Sequence, residues 1–126
     1  MAPLGTGFDI TRLTDFYATR ARSDVGMITT GEMCVHSGGK ANRGIELLLD
    51  SDDCINLLIP MVEAVHRAGS KIVAQLNHAG RYTPGRLLGI QSVAPSAVPS
   101  RYTGETPREL TTGEVDHLVI AFAEAA

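Results

Sequence analysis

Two segments suited to strands stand on either side of one suited to a helix, and that order limits the folds open to the chain. Val25–Thr30 ends in the β-branched residues Ile28, Thr29 and Thr30, and Lys71–Leu76 is largely apolar, so both read as strands. Between them Ile55, Leu58, Ile59, Val62 and Val65 recur at helical spacing. Before the first strand, Leu13, Phe16, Tyr17 and the aliphatic stem of Arg20 do the same over Thr11–Arg22. Met1–Leu4 reads as the end of an earlier strand that turns at Gly5-Thr6-Gly7. A βαβα order of this kind implies a parallel sheet, open or closed, and hence an α/β fold.

Local signals set the boundaries. Ser51-Asp52-Asp53 supplies cap-type residues for the second helix, and Gly69 stops it as a C′ residue. An interior proline costs about 3 kcal/mol, so Pro60 is expected at an early position of the main helix after a short preliminary turn. Gly31–Asp50 and Gly80–Glu109 read as loops, the second carrying Pro84, Pro95, Pro99 and Pro107. At Thr111 a capping box begins, with Glu114 as its partner and Leu110 and Val115 as a hydrophobic staple. Leu118, Val119, Phe122 and Ala123 then continue a helical apolar face that runs uncapped to Ala126.

Composition narrows the function. With 126 residues the chain has room for one domain, spanning 1–126. Fourteen acidic against 11 basic residues give a net charge of −3, which offers no general affinity for nucleic acid or an anionic membrane. There is no apolar run of transmembrane length, and Met1–Asp9 lacks the features of a signal peptide. Cys34 and Cys54 stand apart from any CxxC or Cys/His pattern, which suits a reducing compartment and predicts a cytoplasmic location.

Two phosphate fingerprints fail. Gly5-Thr6-Gly7 would need glycine where Ile10 stands, and Gly39-Lys40 would need glycine at Cys34 and a hydroxyl at Ala41. More suggestive is Gln75-Leu76-Asn77-His78-Ala79-Gly80-Arg81 at the end of the second complete strand. Alternation puts Gln75, Asn77 and Ala79 on one face and Leu76 and His78 on the other. The Gln75 amide can donate and accept together, matching the imide edge of a planar heterocycle, although from spacing alone such a cluster more often anchors a loop. His78 has no Ser or Cys nucleophile placed to partner it.

Met1-Ala2-Pro3-Leu4-Gly5-Thr6, Phe16-Tyr17-Ala18-x-Arg20-Ala21-Arg22 and Val25-Gly26-Met27-Ile28-Thr29-Thr30 resemble the old yellow enzyme family. So do Ala64-Val65-His66-x-Ala68-Gly69-x-Lys71-Ile72-x-x-Gln75-Leu76-x-His78-Ala79-Gly80-Arg81, Val93-Ala94-Pro95-Ser96 and Pro107-Arg108-Glu109-Leu110-Thr111. The Gly-Thr-Gly turn is most like the 2,4-dienoyl-CoA reductase branch. The resemblance implies the N-terminal portion of a TIM (β/α)8 barrel, truncated after the third βα unit, with its site at the C-terminal strand ends. It implies FMN as cofactor, NAD(P)H as reductant and a small-molecule activated alkene as substrate of the complete enzyme. Ala2, Pro3, Leu4, Gly5 and Thr6 would line the flavin, Gly31 would approach it closely, and Gln75 would hydrogen-bond its pyrimidine edge. Gly5 stands where many relatives carry Cys, Thr or His, and Glu32 where a small residue is more usual. No catalytic residue is assigned, because the substrate-binding pair, the proton-donating Tyr and the phosphate loops of relatives lie on later strands. The chain alone is therefore expected to be inactive and prone to self-association through unpaired sheet edges. The alternatives are a non-enzymatic half-barrel that assembles with a complementary half or is a relic gene product, and a small open α/β sheet binding a nucleotide.

Overall fold

The computed structural model describes residues 9–42 and 46–126, so the Met1–Leu4 strand and the turn after it lie outside the described residues. Asp9 opens the first helix: its carboxylate accepts from the Thr11 and Arg12 N–H groups at 3.0 and 3.3 Å, and α1 runs Ile10–Ala21. Its buried face is Tyr17, Ala18 and Ala21. Phe16, expected on that face, is 46% exposed and lies under the Arg20 guanidinium, 3.2 Å from the ring centroid. Arg20 also donates to the Phe16 carbonyl, so this pair satisfies itself at the surface and leaves the core to Tyr17.

Three parallel strands follow: β1 (Met27–Cys34), β2 (Leu47–Leu48) and β3 (Lys71–Asn77), in the order β2-β1-β3. β1 is longer than the Val25–Thr30 reading, and β2 lies within the expected Gly31–Asp50 loop. The β1–β3 ladder pairs Met27 with Lys71 through Thr29 with Val73, then resumes at Glu32 with Gln75 and ends at Cys34 with Asn77. Thr30 and Gly31 together oppose Ala74, a β-bulge. Unbroken alternation from Ile28 would turn Glu32 toward the core; the extra residue resets the phase and sends Met33 there instead, where it is buried.

α2 (Asp53–Arg67) connects β2 to β3 as one helix, with Pro60 inside it rather than near its start. Pro60 and Asn56, whose carbonyl loses its donor, are both exposed, so that carbonyl is open to solvent. Met61 and Val65 on the opposite side are buried and hold the helix together through packing. Gly69, at φ 88°, ends it: its N–H and that of Ser70 donate to the His66 and Val65 carbonyls, a Schellman motif.

α1 and α2 cover one face of the sheet, and the core between them comprises Tyr17, Ala21, Ile28, Met33, Leu47, Leu49, Met61 and Val65. Ile72 and Leu76 of β3 pack against it. The opposite, inner face is open among the described residues: Met27 is 61% and Val73 46% exposed, so β3 is covered on one side only.

The Gly80–Glu109 stretch is ordered rather than a plain loop. It holds a 3₁₀ turn at Gly80–Tyr82, the single turn α3 (Gly85–Leu88), and two short parallel strands, β4 (Val93–Ala94) and β5 (Arg108–Glu109). Gly85 is required by space, since a Cβ there would run into the Ile90 carbonyl. α4 (Thr112–Ala125) begins with the expected capping box between Thr111 and Glu114. Arg108 grips the Glu114 carboxylate with two bonds, at 3.0 and 2.6 Å, tying β5 to α4. No described helix is long and apolar enough to cross a membrane.

Candidate functional site

The site forms where β1 and β3 end together. Their C-terminal residues are brought into register by the bulge, which is held by side chains. Gln75 N–H donates to Thr30 Oγ1 at 3.0 Å, in place of a ladder carbonyl. The Thr30 hydroxyl donates to the Gly31 carbonyl at 2.8 Å, and Gly31 N–H donates to Tyr17 Oη at 2.6 Å. Thr30 and Tyr17 are buried, while Gly31, Glu32 and Gln75 are exposed. Gly31 is not demanded by crowding: the nearest described atom to a Cβ there is Tyr17 Oη at 3.7 Å.

Beside the strand ends lies a cleft of about 430 Å³ lined by Glu32, Asn42, Asn77, His78, Tyr82 and Tyr102, with Ala41 and Ala79. Glu46 shapes its rim, accepting from the Ala41 N–H at 2.7 Å and, at 3.5 Å, from Asn77 Nδ2. Tyr82 and Tyr102 meet edge to face at 6.2 Å.

His78 is fixed by the backbone. Its Nδ1 accepts from Gly80 N–H at 3.1 Å, which assigns the proton to Nε2, and its ring stacks on His36 at 6.1 Å. Burial and the neighbouring His36 hold its pKa below the usual histidine value, so it is neutral. Beneath, the buried Cys34 thiol donates to the His36 carbonyl, and burial pushes its pKa up. Both cysteines are free.

Of the sequence-derived site residues, Gly31 and Gln75 come together across the ladder, with Glu32 the register partner of Gln75. Gln75 flanks the cleft without lining it. Ala2, Pro3, Leu4, Gly5 and Thr6 lie outside the described residues. Sequence reasoning missed Thr30, Tyr17, Glu46, Tyr82 and Tyr102. The break in alternation after Thr30 was a usable signal for the first of these; the others act through contacts that no local pattern announces.

A family model described as the NADH:flavin oxidoreductase / NADH oxidase family matches residues 2–126. The chain is 42% identical over 116 residues to an NADH oxidase of Thermoanaerobacter brockii, covering 91% of this chain and 18% of that protein. It is 34% identical over 110 residues to an NADPH dehydrogenase of Clostridium acetobutylicum, covering 87% of this chain and 32% of that protein. The old yellow enzyme homologue from Zymomonas mobilis superposes with a TM-score of 0.77 at 30% identity, over 98% of this chain and 35% of that one. The chain thus spans well under half the length of these relatives, and its sheet and helices are part of a TIM (β/α)8 barrel. With the match running over nearly every residue, the chain belongs to the NADH:flavin oxidoreductase / NADH oxidase family.

Proposed function

We propose that this chain forms the flavin-edge portion of an FMN-dependent NAD(P)H oxidoreductase of the cytoplasm that reduces activated alkenes. The observation that carries the reading is the exposed Gln75 at the C-terminal end of a parallel strand, in register with Glu32 and next to the exposed Gly31 backbone. The arrangement fits a flat heterocycle: the Gln75 amide donates and accepts in one plane, and Gly31 is exposed and carries no side chain of its own, the nearest described atom to a Cβ there being Tyr17 Oη at 3.7 Å. Ala2, Pro3, Leu4, Gly5 and Thr6 would flank the same group, on the strength of the family resemblance. When bound, FMN supplies the chemistry of taking hydride from NAD(P)H and passing it to the alkene. This chain's own residues hold the cofactor's pyrimidine edge, and no catalytic residue is assigned among them.

The test completes the barrel by joining residues 2–126 to the remaining segment of the T. brockii NADH oxidase. In that holoenzyme Gln75→Leu weakens FMN binding by about 1–3 kcal/mol, the scale of one buried polar group left unpaired. It also shifts the flavin absorption bands while far-UV circular dichroism stays the same. Unchanged FMN affinity and spectrum with only a lower Tm would make Gln75 a loop anchor. A second reading, a half-barrel that assembles with a complementary half, is favoured by the open inner face at Met27 and Val73.

A further inference from the structure

The Thr30–Gly31 bulge costs the ladder a carbonyl for Gln75, and two side chains from different elements repair it. Thr30 Oγ1 takes the Gln75 N–H at 3.0 Å and gives its own proton to the Gly31 carbonyl at 2.8 Å. Tyr17, reaching over from α1, takes the Gly31 N–H at 2.6 Å. Both side chains are almost completely buried, at 4% and 6% exposure, whereas the residues they hold face the open side of the sheet. A bulge disrupts the ladder and bends its strand, and here the Gln75 N–H and the Gly31 N–H and carbonyl are each held by a buried side chain.

We propose that Thr30 and Tyr17 are positioning residues of the flavin site: they lock the bulge so that the Gln75 amide and the Gly31 backbone are presented together. The inference rests on the reading of Gln75 and Gly31 as cofactor contacts. Thr30 acts through the Gln75 backbone and Tyr17 through the Gly31 amide, and neither needs to touch the cofactor. Thr30→Val keeps the β-branched shape and removes both hydrogen bonds; Thr30→Ser keeps the oxygen. Tyr17→Phe keeps the ring in the core and leaves the Gly31 N–H without its acceptor.

These variants are made in the completed barrel described above, purified with FMN. FMN affinity and the flavin absorption spectrum are read beside Tm and the hydrogen-exchange rates of the Gln75 and Gly31 amides. Thr30→Val is expected to weaken FMN binding about tenfold, the effect of a buried donor left unpaired, to shift the flavin bands and to speed exchange at Gln75. Thr30→Ser restores all three. Tyr17→Phe weakens FMN binding and speeds exchange at Gly31, and it carries the test should Thr30→Val fail to fold. A lowered Tm with unchanged FMN affinity and spectrum in both Thr30→Val and Tyr17→Phe would overturn the proposal, making the network a structural staple. If those two variants are silent while Gln75→Leu weakens FMN, the positioning role fails and the flavin site stands. If the unsubstituted barrel holds no FMN, the flavin reading itself falls and takes the positioning role with it.

Discussion

Gly39 lies where there is no room for a side chain, because a Cβ at that position would overlap the His78 ring. The ring cannot easily yield: Gly80 N–H holds its Nδ1, and the Ala79 N–H bonds the Gly39 carbonyl at 2.7 Å. Gly39→Ala therefore has to displace the imidazole or separate the two segments, a cost of about 1–3 kcal/mol by the usual measure of overpacking. A lower urea midpoint at unchanged m value is the expected result, and an unaltered midpoint would mean that the ring moves aside freely. At this scale the sequence was partly readable. Gln75 stood out because its amide chemistry and its place at a strand end are local facts. Thr30 did not, because its role is a bond to a residue 45 positions away. Gly39 was examined only as part of a failed phosphate motif, and its packing against His78 depends on two loops meeting.

Among the elements, α4 has the most explicit start. Glu114 accepts from the Arg108 guanidinium, from the Thr111 N–H and from the Thr111 hydroxyl, and these hold its carboxyl down from 4.5 to about 2. A carboxylate whose pKa is lower folded than unfolded stabilises the fold fully above the unfolded value. That contribution is lost as the pH falls from about 4.5 toward 2. Amide protection at the start of α4 is expected to decline across that window, and Glu114→Gln should flatten the pH dependence; hydrogen exchange read by NMR checks both. The capping box was legible in advance because its partners are three residues apart, and so was the Gly69 stop. The end of β1 was not: its alternation breaks at the bulge, and a period-two reading has to stop at Thr30 or drive Glu32 into the core. Pro60 misled for a different reason. Its intrinsic penalty is real, but Met61 and Val65 bury deeply enough to keep the helix continuous. β4 and β5, two residues each, are too short to carry any period.

Taken whole, the molecule is lopsided. Its core sits between the sheet and helices α1 and α2, while among the described residues the inner sheet face and much of α4 stay bare; Val119 is 64% and Ile120 52% exposed. Among the described residues β3 pairs only with β1, so its outer edge offers a row of backbone donors and acceptors. The 126-residue chain by itself is expected to self-associate, with a sedimentation coefficient that rises with concentration, and Val73→Lys should reduce the effect. A monomer at every concentration would contradict this. The same lopsidedness bears on biosynthesis. Every described member of the core cluster falls between Tyr17 and Val65, so that nucleus takes from the stretch after α2 only the flanking cover of Ala68, Ile72, Leu76 and Ala125. As a ribosome delivers the polypeptide, α1, β1 and α2 can settle against one another before the following segments emerge. The inner face, bare among the described residues, is then the surface a nascent-chain chaperone would meet.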